Sequence, residues 1–276
     1  MTRLLPSYTI AVDLGQVNDS TAIAVAERTE LRTGRIDLVP NVAAYFDGNK
    51  HLPRTIEWPQ TVGIYDLIHL QRLPLGTPYT ALPETLRTIE QRLRQRWSDL
   101  VFQSHHVSPS MTNTPVELIV DQTGVGRPVV DLLRDAALPC RLVPIMITGG
   151  QTVTQTEEQV GWVKEIGFHV PKRDLVGVLA VLLQSERIRV AQDLHAAQLL
   201  VQELLNFRVK ISLSGRDSYG AGEEWRDGAH DDLVLAVALA AWYGENPATV
   251  PMGVVAFGKA TIKMREPGMA RRGRAW

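Results

Sequence analysis

The run Val116-Glu117-Leu118-Ile119-Val120-Asp121 is a short β-rich apolar segment that ends on a carboxylate, and the residues on its C-terminal side fix the fold class. Gly124-Val125-Gly126-Arg127-Pro128 is a turn that opens an amphipathic helix, Val129–Ala137, and Arg141–Ile147 is the next apolar run. Strand, helix, strand in this spacing implies parallel neighbours in an α/β sheet. Upstream, Tyr8-Thr9-Ile10-Ala11-Val12-Asp13 repeats the pattern of an apolar strand closed by an acid, and the turn formers Leu14–Ser20 lead into Thr21–Ala26, so the pair reads as an antiparallel hairpin. A strand at Ile36–Phe46, a loop holding Pro53 and Pro59, and a third strand at Val62–Leu73 close a meander. Apolar residues at 82, 86, 89 and 93 predict a crossover helix between the meander and Val116. Downstream, residues 149–170 predict a β-hairpin insertion. Lys172–Ser185 reads as a helix, Ile188–Ala191 as a strand, Ala196–Phe207 as a helix and Ser212–Gly228 as a mobile loop. A last helix runs from Ala229 to about Tyr243.

The chain has 276 residues, 45% of them hydrophobic, which is ample for a buried core. Its single cysteine, Cys140, has no partner within the chain for a disulfide, so a reducing, cytoplasmic setting is expected. The longest apolar run, Leu233 to Tyr243, falls short of the roughly 20 residues that span a bilayer, so no membrane association is expected. With 29 Lys+Arg against 30 Asp+Glu, no overall basic field marks the chain as a nucleic-acid binder. Residues 245–276 differ from the rest, because from Lys259 to Trp276 the cations Lys259, Lys263, Arg265, Arg271, Arg272 and Arg274 face only Glu266. They read as a basic C-terminal tail to a domain over residues 1–244.

Asp13, Asp121 and the pair Asp231-Asp232 each lie at the end of an apolar element rather than on a polar face. Ligands of an open α/β sheet bind beyond the carboxyl ends of its parallel strands, where Asp13 and Asp121 meet if their strands are neighbours. Crowded carboxylates repel, and hard divalent cations such as Mg²⁺ or Mn²⁺ relieve that repulsion. Two such ions can activate a water on one side of a phosphodiester and stabilise the leaving oxygen on the other. Taken singly, each Asp is as well explained as a turn or helix-cap residue. His230-Asp231-Asp232 ahead of a purely apolar helix is more acid than a cap requires.

The order of elements resembles the RNase H-like superfamily: a mixed α/β sheet with an antiparallel three-strand meander, then parallel strands, with helices on both faces. The blocks Val12-Asp13-Leu14-Gly15, Val120-Asp121-Gln122-Thr123-Gly124-Val125-Gly126, Val170-Pro171-Lys172-Arg173-Asp174-Leu175 and Gly228-Ala229-His230-Asp231-Asp232-Leu233 resemble the nuclease domain of phage terminase large subunits. The resemblance implies a two-metal endonuclease that cuts concatemeric double-stranded DNA during genome packaging in the host cytoplasm. Asp13, Asp121, Asp231 and Asp232 would then be its catalytic metal ligands and His230 an auxiliary group. It implies as partners a packaging ATPase motor, a small terminase subunit and a portal. Which of Asp231 and Asp232 faces the metals stays open, since consecutive helical positions lie about 100° apart.

The family's motor usually precedes its nuclease, so the chain is expected to be a nuclease without its motor. Gly253–Lys259 matches most of a phosphate-binding loop, but Ala260 stands where a Ser or Thr would reach Mg²⁺, and this is read as a decoy. Candidate DNA-contacting residues are Gly124, Arg127, Lys172, Arg173, Lys259, Lys263, Arg271 and Arg272. Arg87, Arg92, Arg94 and Arg96 on the crossover helix read mostly as solvated charges. A RuvC-like junction resolvase is the nearest alternative, and an actin- or sugar-kinase-like ATP-binding module a more distant one.

Overall fold

Alternation along the central strands sends side chains to two faces, and each face is covered by helices. The computed structural model describes residues 6–15, 19–40, 53, 55–104, 116–124, 127–211, 217–221 and 231–246. The strands are β1 (Ser7–Asp13), β2 (Ala22–Pro40), β3 (Thr55–Arg72), β4 (Val116–Asp121), β5 (Arg141–Thr148), β6 (Thr154–Val160), β7 (Val163–Pro171), β8 (Ile188–Val190), β9 (Phe207–Ile211) and β10 (Asp217–Ala221). The helices are α1 (Leu82–Ser104), α2 (Arg127–Asp135), α3 (Lys172–Gln184), α4 (Ala197–Asn206) and α5 (Asp232–Glu245).

Eight strands form one sheet in the order β6-β7-β5-β4-β1-β2-β3-β8, and β9 pairs with β10 separately. β1 is antiparallel to β2 but parallel to β4, which is parallel to β5, which is parallel to β7. This mixed sheet has β1 to β3 side by side and parallel strands added beyond β1, the arrangement expected from the sequence. The hairpin at 149–170 forms as β6 and β7, and β7 joins the sheet through the pairs Ile145↔Phe168 to Thr148↔Pro171.

Odd and even positions divide the core. Tyr8, Ile10 and Val12 of β1, Ile23 and Val25 of β2, and Leu118 and Val120 of β4 pack with Leu82, Leu86, Ile89, Leu93 and Trp97 of α1 and with α2. Cys140 lies half-buried against the same cluster. Ala11, Ala22, Ala24, Ala26 and Ile119 face the other way, toward α3, α4 and α5. That face is lined with alanines, and small side chains on both partners let α5 approach closely. Every residue of α5 from Asp232 to Tyr243 is buried, so its apolarity all round is what a fully enclosed helix needs.

The chain divides into two compact units, Met1–Leu31 with Val62–Glu245, and Arg32–Thr61 with Asn246–Trp276. In the second, the Gln60 amide donates to both carboxylate oxygens of Asp37, at 2.9 and 2.8 Å. β2 is one strand of 19 residues, where two separate strands were expected from the sequence. Its outer half is polar and exposed, so it lacks the apolar alternation that marks a half-buried strand. Likewise α1 continues past the predicted Leu93 to Ser104, and β10 lies inside the segment read as a loop. No helix among the described residues is long and apolar enough to cross a membrane.

Candidate metal centre at the carboxyl end of the sheet

Parallel pairing of β1 with β4, from Tyr8↔Val116 to Val12↔Val120, brings the next residue of each strand, Asp13 and Asp121, to the same edge of the sheet. Both are almost fully buried. The loop after Asp13 is held tightly. The Gly15 N–H donates to Thr21 Oγ1 at 3.1 Å, and the Tyr79 hydroxyl donates to the Gly15 carbonyl. A Cβ at Gly15 would stand 2.2 Å from the Asp19 carbonyl oxygen and 2.4 Å from the Ser20 carbonyl carbon, so only glycine fits. After Asp121, the Thr123 N–H and hydroxyl donate to Asp121 Oδ1 at 2.8 and 2.5 Å. The same hydroxyl accepts from the Ile147 N–H at 2.7 Å, which ties the turn to β5.

The third contribution comes from the start of α5, where the Asp231 carbonyl accepts the Leu235 N–H and so occupies the cap position. A capping Asp would spend its carboxylate on the next free backbone N–H groups. Here Glu203 of α4 takes those groups instead, its Oε2 accepting from Leu233 N at 2.9 Å and Val234 N at 3.2 Å. The carboxylate of Asp231 is thereby released from capping. Asp231 Oδ2 is 3.2 Å from Lys172 Nζ, and Asp232 Oδ2 is 3.1 Å from a terminal guanidinium nitrogen of Arg72. Arg72 also lies 3.9 Å from Glu203, so it bridges the two acids.

The electrostatics report the crowding. Burial first, then the like charges of Asp121, Asp232 and Asp231, push the Asp13 carboxyl well above the usual carboxylate range, with Lys172 opposing. Burial also raises Asp121, against the Thr123 bonds and a hydrogen bond with Asp13. Glu203 is pushed up to about 7 by burial and by Asp232, against the Val234 and Leu233 N–H groups and Arg72. Among the described residues no three His, Cys, Asp or Glu side chains form a ready-made metal cage. The acids lean instead on Lys172, Arg72 and Thr123. The donor chemistry nevertheless fits a hard divalent cation: oxygens only, shielded from bulk water, with a repulsion that a cation would remove.

The remaining sequence candidates fall in three groups. Lys172, at the first position of α3, joins the centre through Asp231. Arg127 is paired with Glu158 of β6, Arg173 with Asp174 at 3.3 Å, and Gly124 forms an exposed turn at φ 80°. His230, Lys259, Lys263, Arg271 and Arg272, with the basic tail and the Gly253–Lys259 loop, lie outside the described residues. Glu117 accepts from Arg141 Nε at 2.7 Å. Arg72 and Glu203 were missed by sequence reasoning. Glu203 had a signal, since it shares the buried stripe of α4 with Ala197 and Leu200, and an acid in an apolar stripe needs a partner.

No protein-family model and no curated protein matches the chain. Among solved structures, the large terminase nuclease from thermophilic phage G20c aligns at 16% identity with a TM-score of 0.44, covering 89% of this chain and 89% of that one. The Mn-soaked human cytomegalovirus terminase nuclease domain aligns at 12% identity with a TM-score of 0.45, covering 89% of this chain and 86% of that one. Its inhibitor-bound form aligns at 12% identity, with a TM-score of 0.42 and coverages of 88% and 85%. Each of the three alignments spans most of both chains at low identity.

Proposed function

We propose that the chain is a divalent-metal-dependent endonuclease acting on double-stranded DNA, in the manner of terminase large-subunit nucleases. The observation that carries this reading is the convergence of buried Asp13 and Asp121, from adjacent parallel strands, with the Asp231-Asp232 pair, whose capping duty Glu203 has taken over. Asp13 and Asp121, with Asp231 or Asp232, would hold Mg²⁺ or Mn²⁺. When bound, a pair of such ions supplies an activated water and stabilises the leaving 3′ oxygen of the cut phosphodiester. The chain's own residues do the rest. Thr123 and the β5 backbone orient Asp121, and Glu203 and Arg72 fix the start of α5. Lys172 balances Asp231 and is the nearby cation able to face a phosphate once that carboxylate turns to a metal. A packaging motor, a small terminase subunit and a portal are the partners this reading calls for.

The test is cleavage of supercoiled plasmid by the purified chain with Mn²⁺ or Mg²⁺, with EDTA as control. Nicked and linear products are expected with metal, and Asp121→Ala should lose at least ~100-fold in rate, as when a group acting on the transition state is removed. Intact plasmid under both metals would sink the nuclease reading. Undiminished cutting by Asp121→Ala would sink the site assignment.

A further inference from the structure

A groove beside the acidic centre has the opposite charge. One pocket of about 540 Å³ lies between the end of β3, one face of α1 and the loop before α4. A second of about 370 Å³ shares Arg72 and His195 with it and reaches Ser20, in the loop between β1 and β2. Among the described residues, the charged and titratable side chains lining the two are His69, Arg72, Arg92 and His195, with no carboxylate.

The arginines of α1 single out one of their number. Arg94 is spent on Glu90 and the Pro139 carbonyl, Arg96 on Glu27 at 2.6 Å, and Arg87 on Glu84 at 3.7 Å and the Ala136 carbonyl at 3.0 Å. Arg92 is exposed, has no carboxylate partner among the described residues, and is the one of the four that lines the pocket. Helical spacing puts it on the same face as Thr88 and Thr85, one and two turns back. A guanidinium offers a planar fork suited to a phosphate, and an exposed imidazole adds a further donor. Arg72 connects this lining to the centre, since it lines both pockets and a terminal nitrogen of its guanidinium lies 3.1 Å from Asp232.

We propose that this groove is a phosphate-binding track in which Arg92 and His195 hold the backbone of the DNA strand flanking the one presented to Asp13, Asp121 and the Asp231-Asp232 pair. The inference rests on the nuclease reading and extends it by giving the substrate a path. Phosphate oxygens are the recognised group, so binding along the groove is independent of sequence and strongly dependent on salt.

The test uses the whole chain in EDTA, with a labelled duplex of about 20 base pairs followed by anisotropy at several salt concentrations. Arg92→Ala combined with His195→Ala should weaken duplex binding about tenfold and lower the salt slope by about 1–2. Arg92→Lys should recover most of the arginine's share, and Arg94→Ala should bind like the unaltered chain. Unchanged affinity and slope in the double variant would overturn the proposal. So would weaker competition by inorganic tripolyphosphate with duplex affinity intact, which would make the groove a site for a small free anion. The two readings separate cleanly. Duplex binding that depends on Arg92 and His195 in a chain that cuts no plasmid keeps the groove and loses the nuclease, and metal-dependent cutting with a silent double variant does the reverse.

Discussion

Helices α5 and α1 cover opposite faces of the same strands, yet the two are built for different ends. α5 is buried on every side, packs on alanines of β1 and β2, and carries its only acids at its first turn and its last residue. α1 buries one stripe, Leu82, Leu86, Ile89, Leu93 and Trp97, and leaves a polar face rich in arginine. A carboxylate meant to meet others at a fixed distance gains from the first environment, where neighbours on all sides forbid rotation or sliding. Under the proposed phosphate track, a cation that meets a long polyanion gains from the second, where an exposed side chain can follow its ligand. The contrast teaches where rigidity is placed: at the acid-bearing helix, while the basic side stays adaptable.

The strongest way to break the contrast is to free the start of α5. Glu203→Ala removes the acceptor of two buried N–H groups and part of the counter-charge for Arg72, and should cost about 3–5 kcal/mol in urea unfolding. A loss under about 1 kcal/mol would show that α5 needs no anchor from α4.

Next in size is the pH dependence that the same residue imposes. Glu203 titrates at about 7 when folded, against 4.5 for its unperturbed form, so the folded chain binds the extra proton between those values. Its share of stability is complete below about 4.5 and is lost as pH rises through about 7. Relative to Glu203→Gln, the metal-free chain should therefore lose on the order of 3 kcal/mol across that window. Parallel stability curves for the two proteins would contradict this.

The smallest effects sort the arginines of α1. Arg94→Ala leaves the buried Glu90 without its guanidinium and should cost about 1–3 kcal/mol. Arg92→Ala breaks no ion pair among the described residues and should stay within about 0.5 kcal/mol of the original. Equal losses would mean that Arg92 is a structural residue and that the two helices differ less than their packing implies.

Much of this was legible in the sequence because its signals are local. Asp13 and Asp121 close strongly apolar runs, and an acid placed there by a parallel strand has one edge of the sheet to go to. Asp231 and Asp232 stood out as surplus acid before an apolar helix. What stayed hidden depends on distant chain segments. Arg72 ends a strand and Glu203 sits in mid-helix, 131 positions apart, and only the packing of β3, α4 and α5 makes them one network. Arg92 was indistinguishable from Arg87, Arg94 and Arg96 until the structure supplied partners for those three. The outer half of β2 was missed because an exposed strand carries no apolar alternation to read.

The lone thiol offers a different kind of use. Burial, with the nearby charges of Glu90 and Glu117 and against that of Arg94, pushes Cys140 up to about 12. A thiol in an unfolded chain ionises near 8.5, so at pH 8 the native side chain should react with iodoacetamide on the order of a thousandfold more slowly than the unfolded one. With no second cysteine to blur the signal, alkylation becomes a clock that ticks only when this part of the core opens. The protein thus carries its own chemical reporter of local unfolding, readable by mass without any added label.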